Sequence, residues 1–212
     1  MAVWSPRATR PLVVPALISI NVIVFLMWTM AGSEGVEFMV NNFTVSWTSL
    51  REGRYWVLLT SVFSHNALFH ILLNMFVLNS FGSLLEAVLG RGSFLRFYLV
   101  AGVISSFCHA FVSAYLLGAP DLPAVGASGA VSGLVLVFAM IFPREKILVF
   151  GLIPVPALFG ALAFIGLDIW GLVMQAEGGG LPIGHGAHLG GAFTGVFYYI
   201  LVLRGRRRGR FA

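Results

Sequence analysis

The chain has 212 residues, 58% of them hydrophobic and only 10% charged, with a formal net charge of +5. A soluble domain carries about a quarter charged residues, so this composition excludes a water-facing globular domain of this size. The main solvent must be lipid, and one membrane domain over residues 1–212 is expected, with 204–212 as a basic cytoplasmic tail.

The chain opens on an apolar run at 11–31. It is long enough to span a bilayer, and no A-x-A cleavage site follows it, so it reads as a retained helix. Five further runs follow at 62–84, 94–117, 126–142, 156–174 and 181–203, the fourth of them short. Breakers and charges separate them: Arg91 and Gly92; the stretch Gly118 to Pro123 with its two prolines; Pro143, Arg144, Glu145 and Lys146; and Gly178, Gly179 and Gly180. Residues 147–154 are apolar but contain Gly151 and Pro154, and they read as an irregular interfacial approach to the fifth helix. Cys108, the single cysteine, excludes an intrachain disulfide and reads as a small core residue.

Charge sets an orientation. With the N-terminus inside, the inner segments hold eleven of the thirteen basic residues: Arg7, Arg10, Arg91, Arg96, Arg144, Lys146 and the tail arginines 204, 206, 207, 208 and 210. The outer segments hold only Arg51 and Arg54. The basic tail therefore reads as an anchor on anionic lipid, and no nucleic-acid partner is expected. The first outer segment, 32–61, is long and rich in aromatics (Phe38, Phe43, Trp47, Tyr55, Trp56), which suits a position partly within the outer leaflet.

Three polar constellations interrupt the apolar runs. Gly126-Ala127-Ser128-Gly129 opens the fourth. Its serine between small residues reads either as close helix packing through Gly129-x-x-x-Gly133, or as a nucleophile on a helix start whose free N–H groups face an oxyanion. Ala187-His188 followed by Gly191 and Gly195 opens the sixth, and a histidine inside a span marks function by default. His185, three residues earlier, is expected nearer the surface and carries no assignment. His70 and Asn74 share one face of the second, where they either bond neighbouring helices or donate to an oxyanion. At 1.5 Å per residue, His70, Ser128 and His188 all lie roughly 7–12 Å below the outer surface. A nucleophile, a base and oxyanion donors at one depth suit acyl transfer.

His70-x-x-x-Asn74, Gly126-x-Ser128-Gly129 and Ala187-His188-x-x-Gly191-x-x-x-Gly195, in this order along six spans, resemble the signature of the rhomboid intramembrane serine proteases. The resemblance covers residues 11–203. It implies an all-α membrane protein, a six-transmembrane-helix rhomboid-like bundle with a short central fourth helix. It further implies a serine endopeptidase of transmembrane protein substrates, with Ser128 as nucleophile and His188 as general base in a dyad that has no carboxylate. His70, Asn74 and the Ser128 N–H would form the oxyanion hole, and Gly126, Gly129, Gly191 and Gly195 would serve substrate access and packing. The resemblance also matches His65 to a structural histidine, Glu86 to a glutamate after the second helix, and Trp56 to a first-loop tryptophan. Substrates would enter sideways between the second and fifth helices and unwind in a polar cavity open to the outside.

Two positions depart from the family pattern. Ser132 stands where an aromatic usually packs under the histidine, so another aromatic, or a hydrogen bond from Ser132, would hold His188. Val57 follows the loop tryptophan where arginine is common. Asp168 falls mid-run in the fifth helix, read as deeper than the dyad from either surface, and suits a structural hydrogen bond. His109 reads as core or interface. No cofactor and no metal are expected, since H-E-x-x-H is missing. The minimal length suggests a bacterial-type inner (plasma) membrane, with both termini cytoplasmic and the site opening outward. The competing function is a non-catalytic rhomboid-like protein that binds membrane clients; a transporter would want internal repeats, which are not seen.

Overall fold

A computed structural model describes residues 10–149 and 152–204. Arg7 and the tail arginines 206, 207, 208 and 210 lie outside the described residues. The chain forms α1 (Val13–Met30), α2 (Ser33–Phe43), α3 (Trp47–Arg51), α4 (Val57–Thr60), α5 (Leu68–Val77), α6 (Ser83–Leu89), α7 (Arg91–Tyr115), α8 (Ser128–Ile141), strands β1 (Lys146–Val149) and β2 (Ile153–Pro156), α9 (Ala157–Ala176) and α10 (His185–Tyr198). A π-helical turn at Leu78–Gly82 joins α5 and α6 into one span, Leu68–Leu89, and a second at Tyr199–Leu203 extends α10.

Among the described residues, five helices are long and apolar enough to cross a bilayer, and α8 is the short sixth. Apolar side chains cover the outer faces, as Leu68, Phe69, Leu72 and Phe76 do on α5 and Phe159, Leu162, Leu167 and Trp170 on α9. Such a surface is satisfied only by lipid. α8 differs: Gly129–Leu134 and Leu136–Ala139 are all buried. A helix that is apolar on every side belongs at the centre of a bundle, and α7, α9 and α10 pack around it.

The second span starts later than the run 62–84 suggested. Ser61–Phe63 make a 3₁₀ turn, and Ser64 and Ala67 take extended backbone, so the helix begins only at Leu68. Glu86 then falls inside this span, not after it. The described residues of the stretch 147–154 are likewise not irregular. β1 and β2 pair antiparallel, from Lys146 opposite Pro156 to Val149 opposite Ile153. The β-branched Ile147, Val149, Ile153 and Val155 favour extended chain, and pairing satisfies backbone groups that an irregular segment would leave open. The first outer segment is folded as α2, α3 and α4. It is tied together by Arg54, which donates to Asn41 Oδ1 at 2.9 Å, and by Trp56 Nε1, which donates to Asn42 Oδ1 at 3.1 Å. Val57 is fully buried beneath it.

Glu86 locks the first span to the second. α1 has no side-chain cap of its own, and the first N–H groups of any helix lack intrahelical acceptors. The buried Glu86 carboxylate accepts from the N–H groups of Leu12, Val13 and Val14 at 2.7, 3.0 and 2.9 Å. The anion also faces the positive end of the helix dipole. Hydrogen bonds to a charged group contribute about 1.5–3 kcal/mol each, not additively. Glu86→Ala is expected to lower unfolding stability by about 3 kcal/mol, read as a lower melting temperature in detergent micelles, while the conservative surface change Glu37→Gln leaves it unchanged.

Candidate active site

Ser128 sits at the first position of α8, and the loop before it is pinned to the outer segment. Val45 and Ala124 exchange two backbone hydrogen bonds, at 3.0 and 2.8 Å, and Gly126 N–H donates to Ser61 O at 2.9 Å. Gly126 has φ of +126°, and a Cβ there would lie 2.6 Å from the His70 ring. Only glycine meets both conditions. The buried His65 closes the turn from below, its Nε2 lying 3.4 Å from the Ala127 N–H that points at it. As the first residue of α8, Ser128 has an N–H without an intrahelical acceptor.

Glycines bring α8 and α10 into backbone contact. A Cβ on Gly191 would lie 1.8 Å from Gly129 O, one on Gly195 2.6 Å from Gly133 O, and one on Gly133 2.8 Å from Gly191 O. At this separation the serine at the start of α8 meets the histidine in the first turn of α10. Ser128 Oγ is 2.9 Å from His188 Nε2, and both side chains are only partly buried. The two readings of the glycine-flanked serine are therefore not exclusive, because the packing glycines are what close the serine–histidine distance.

α9 supplies the other side of the imidazole. Phe164, Asp168 and Gly171 recur at helical spacing on one face. The Phe164 ring lies 5.5 Å from that of His188 with 33° between planes. Phe164 is thus the aromatic that packs on His188. Ser132 does not bond the histidine; its hydroxyl donates to Ser128 O at 2.8 Å. Asp168 Oδ1 lies 2.9 Å from His188 Nδ1 and 2.6 Å from His185 Nδ1. This corrects two expectations. Asp168 is not deeper than the dyad: it lies eight residues before Ala176, about 12 Å from the C-terminal end of α9, and counting from the N-terminal end hid this. His185 is not a surface residue either; it is buried in the cleft that Gly171 leaves, where a Cβ would come within 2.3 Å of its ring.

His70 and Asn74 occupy the opposite wall. The His70 ring covers Gly126, two residues before Ser128. Asn74 is buried, and its Nδ2 donates to His70 O at 2.9 Å, leaving its second amide hydrogen to donate elsewhere. His109 is buried, with Nε2 3.1 Å from Leu122 O. Cys108 packs on Gly190. Among the described residues, Asp168, His185 and His188 are the trio whose donor atoms all lie within 4.8 Å of one another, and the hydrogen bonds between them account for that approach. A cavity of about 310 Å³ between Trp47, Leu50, Arg51, Tyr55, Leu58 and Phe107 contains none of these residues.

A family model described as "Rhomboid domain" matches residues 52–205. The chain belongs to the rhomboid family. It is 32% identical over 208 residues to RHOMBOID-like protein 12, mitochondrial, of Arabidopsis thaliana, which covers 92% of this chain and 60% of that one. It is 34% identical over 202 residues to Presenilin-associated rhomboid-like protein A, mitochondrial, of Danio rerio, with 92% and 49% covered. Rhomboid protein 1, mitochondrial, of Saccharomyces cerevisiae is 33% identical over 194 residues, with 86% and 51% covered. The chain thus spans about half to three fifths of the length of these relatives. All three are named as mitochondrial, at odds with the bacterial-type plasma membrane expected from length; short length is a poor guide to compartment. What holds is an integral, multi-pass rhomboid in a lipid bilayer.

Phe164, His185 and the contact of Asp168 with His188 escaped the sequence reading. The trace they leave in the sequence is the spacing of Phe164, Asp168 and Gly171, which puts an aromatic, a carboxylate and a glycine on one face of α9 without naming the helix it meets.

The glycine contact generates a contrast. Gly191→Ala is expected to force α8 and α10 apart, lowering the melting temperature by several degrees and slowing any Ser128-dependent reaction. Gly166→Ala, on α9 with nothing within 4 Å of its Cβ position, is expected to leave both unchanged. Melting curves and reaction rates of the two variants in micelles check this.

Proposed function

We propose that this rhomboid is an intramembrane serine endopeptidase that hydrolyses peptide bonds in or near transmembrane segments of membrane-protein substrates. The observation that carries the reading is the 2.9 Å contact between Ser128 Oγ and His188 Nε2 at a helix start inside a lipid-facing bundle. The three motifs and the family support it.

The chemistry follows from the residues present. His188 Nε2 takes the Ser128 proton as Oγ attacks the scissile carbonyl. The oxyanion is held by the Ser128 N–H and by Asn74 and His70 from the facing wall. His188 then gives its proton to the leaving amine, and water resolves the acyl-enzyme by the same path. A substrate helix hides its peptide bonds in its own hydrogen bonds, so it must unwind locally to present one. Segments weakened by glycine or proline are therefore the preferred substrates. They enter between the second span and α9. The positive-inside asymmetry of the sequence supports an orientation in which the site opens outward.

In proteoliposomes with a fluorogenic transmembrane substrate, Ser128→Ala and His188→Ala are each expected to abolish cleavage. Asn74→Ala is expected to slow it by about 100–1000-fold, the usual loss for one oxyanion donor. Full turnover by either Ser128→Ala or His188→Ala would overturn the assignment.

A further inference from the structure

The serine–histidine pair does not stand alone. On its far side His188 Nδ1 meets Asp168 Oδ1 at 2.9 Å, and the same oxygen meets His185 Nδ1 at 2.6 Å. Asp168 and His185 are buried, and His188 is nearly so, with 13% of its side chain exposed. A carboxylate cannot remain ionised at membrane depth without donors, and here two ring nitrogens converge on one of its oxygens. The cleft is built for this arrangement. Gly171, one helical turn beyond Asp168, makes room for the His185 ring, and Phe164, one turn before, packs on the His188 ring.

We propose that Asp168 is a positioning residue for His188: it holds the Nδ1–H tautomer, directing the bare Nε2 at Ser128, while His185 clamps the carboxylate in place. The proposal rests on the catalytic reading above and adds a third member that the family resemblance does not imply.

A neutral imidazole carries one N–H. With that hydrogen donated to Asp168, Nε2 is the acceptor and the Ser128 hydroxyl donates to it. When Nε2 takes the serine proton, the resulting imidazolium faces an anion that is already in position. Asp168 stays unprotonated throughout, and the proton later leaves from Nε2 to the amine. The other polar groups facing His188 are Ser128 from α8 and His185 from its own helix. His70 from α5 and His109 from α7 lie within electrostatic reach. Asp168 is the one anion in that set.

The test uses the full chain in micelles and a fluorophosphonate that phosphonylates an activated serine, so that no natural substrate is needed. Labelling of Ser128 is followed against pH. Asp168→Asn offers an amide N–H where the carboxylate accepted, which favours the wrong tautomer. It is expected to slow labelling at least about 100-fold at neutral pH. Asp168→Glu, which keeps the carboxylate, is expected to recover most of the rate. An unchanged rate in Asp168→Asn would overturn the proposal, as would a loss that Asp168→Glu does not recover, the mark of a merely structural role. If Asp168→Asn does not fold, ¹⁵N spectra of histidine-labelled wild-type chain decide: His188 protonated at Nδ1 supports the proposal, and protonation at Nε2 overturns it. Wild-type chain that leaves Ser128 unlabelled at every pH would sink the catalytic reading instead, and the tautomer of His188 would still be decided by the nitrogen spectrum.

Discussion

Everything in this site depends on two helix backbones touching. Side chains normally hold helix axes 8–10 Å apart. Gly129 and Gly133 on α8, against Gly191 and Gly195 on α10, remove that spacer, so that a Cβ on Gly191 would sit inside the Gly129 carbonyl. In lipid no hydrophobic drive pushes helices together, and close packing of small residues takes over that role. The approach also sets the reach of the chemistry. Ser128 and His188 lie on different helices, and they hydrogen-bond one residue before Gly129 and three before Gly191, where the backbones come together.

The remaining constraints orient this crossing. The loop into α8 is held by the Val45–Ala124 pairing, by Ser61 O and by the positive-φ turn at Gly126. These turn the α8 N-terminus, with its unbonded N–H groups, toward the cleft. Glu86 joins α1 to the second span through three backbone N–H groups, which keeps the wall carrying His70 and Asn74 in register with the rest. α9 is buried at only a few positions. It touches the centre through Ala157, Ala161, Asp168 and Gly171 and turns its large apolar side chains outward. The helix that holds His188 from behind is therefore also largely bathed in lipid.

Much of this was legible in the sequence because bilayers impose strong rules. Apolar run lengths give the spans, and polar residues such as Ser128, His188, His70 and Asn74 stand out against an apolar background. The missing aromatic at Ser132 left two ways to hold His188, another aromatic or a hydrogen bond from Ser132, and the sequence did not say which. What the sequence hid was azimuth. Periodicity tells which residues of one helix share a face, as with Phe164, Asp168 and Gly171, but not which neighbour that face meets. Depth is also ambiguous when helix direction is ignored: Asp168 looked too deep when counted from Pro156 and matches His188 when counted from Ala176. The late start at Leu68 and the β1–β2 hairpin were missed because apolar, β-branched stretches suit helix and strand alike until their partners are known.

The most direct measurement is an experimental structure of the chain after reaction with a phosphonate inhibitor. The account predicts phosphorus bonded to Ser128 Oγ, His188 Nε2 beside it, and the phosphonyl oxygen facing the Ser128 N–H, with Asn74 and His70 around it. An adduct on another residue, or a phosphonyl oxygen turned away from that wall toward lipid, would contradict it.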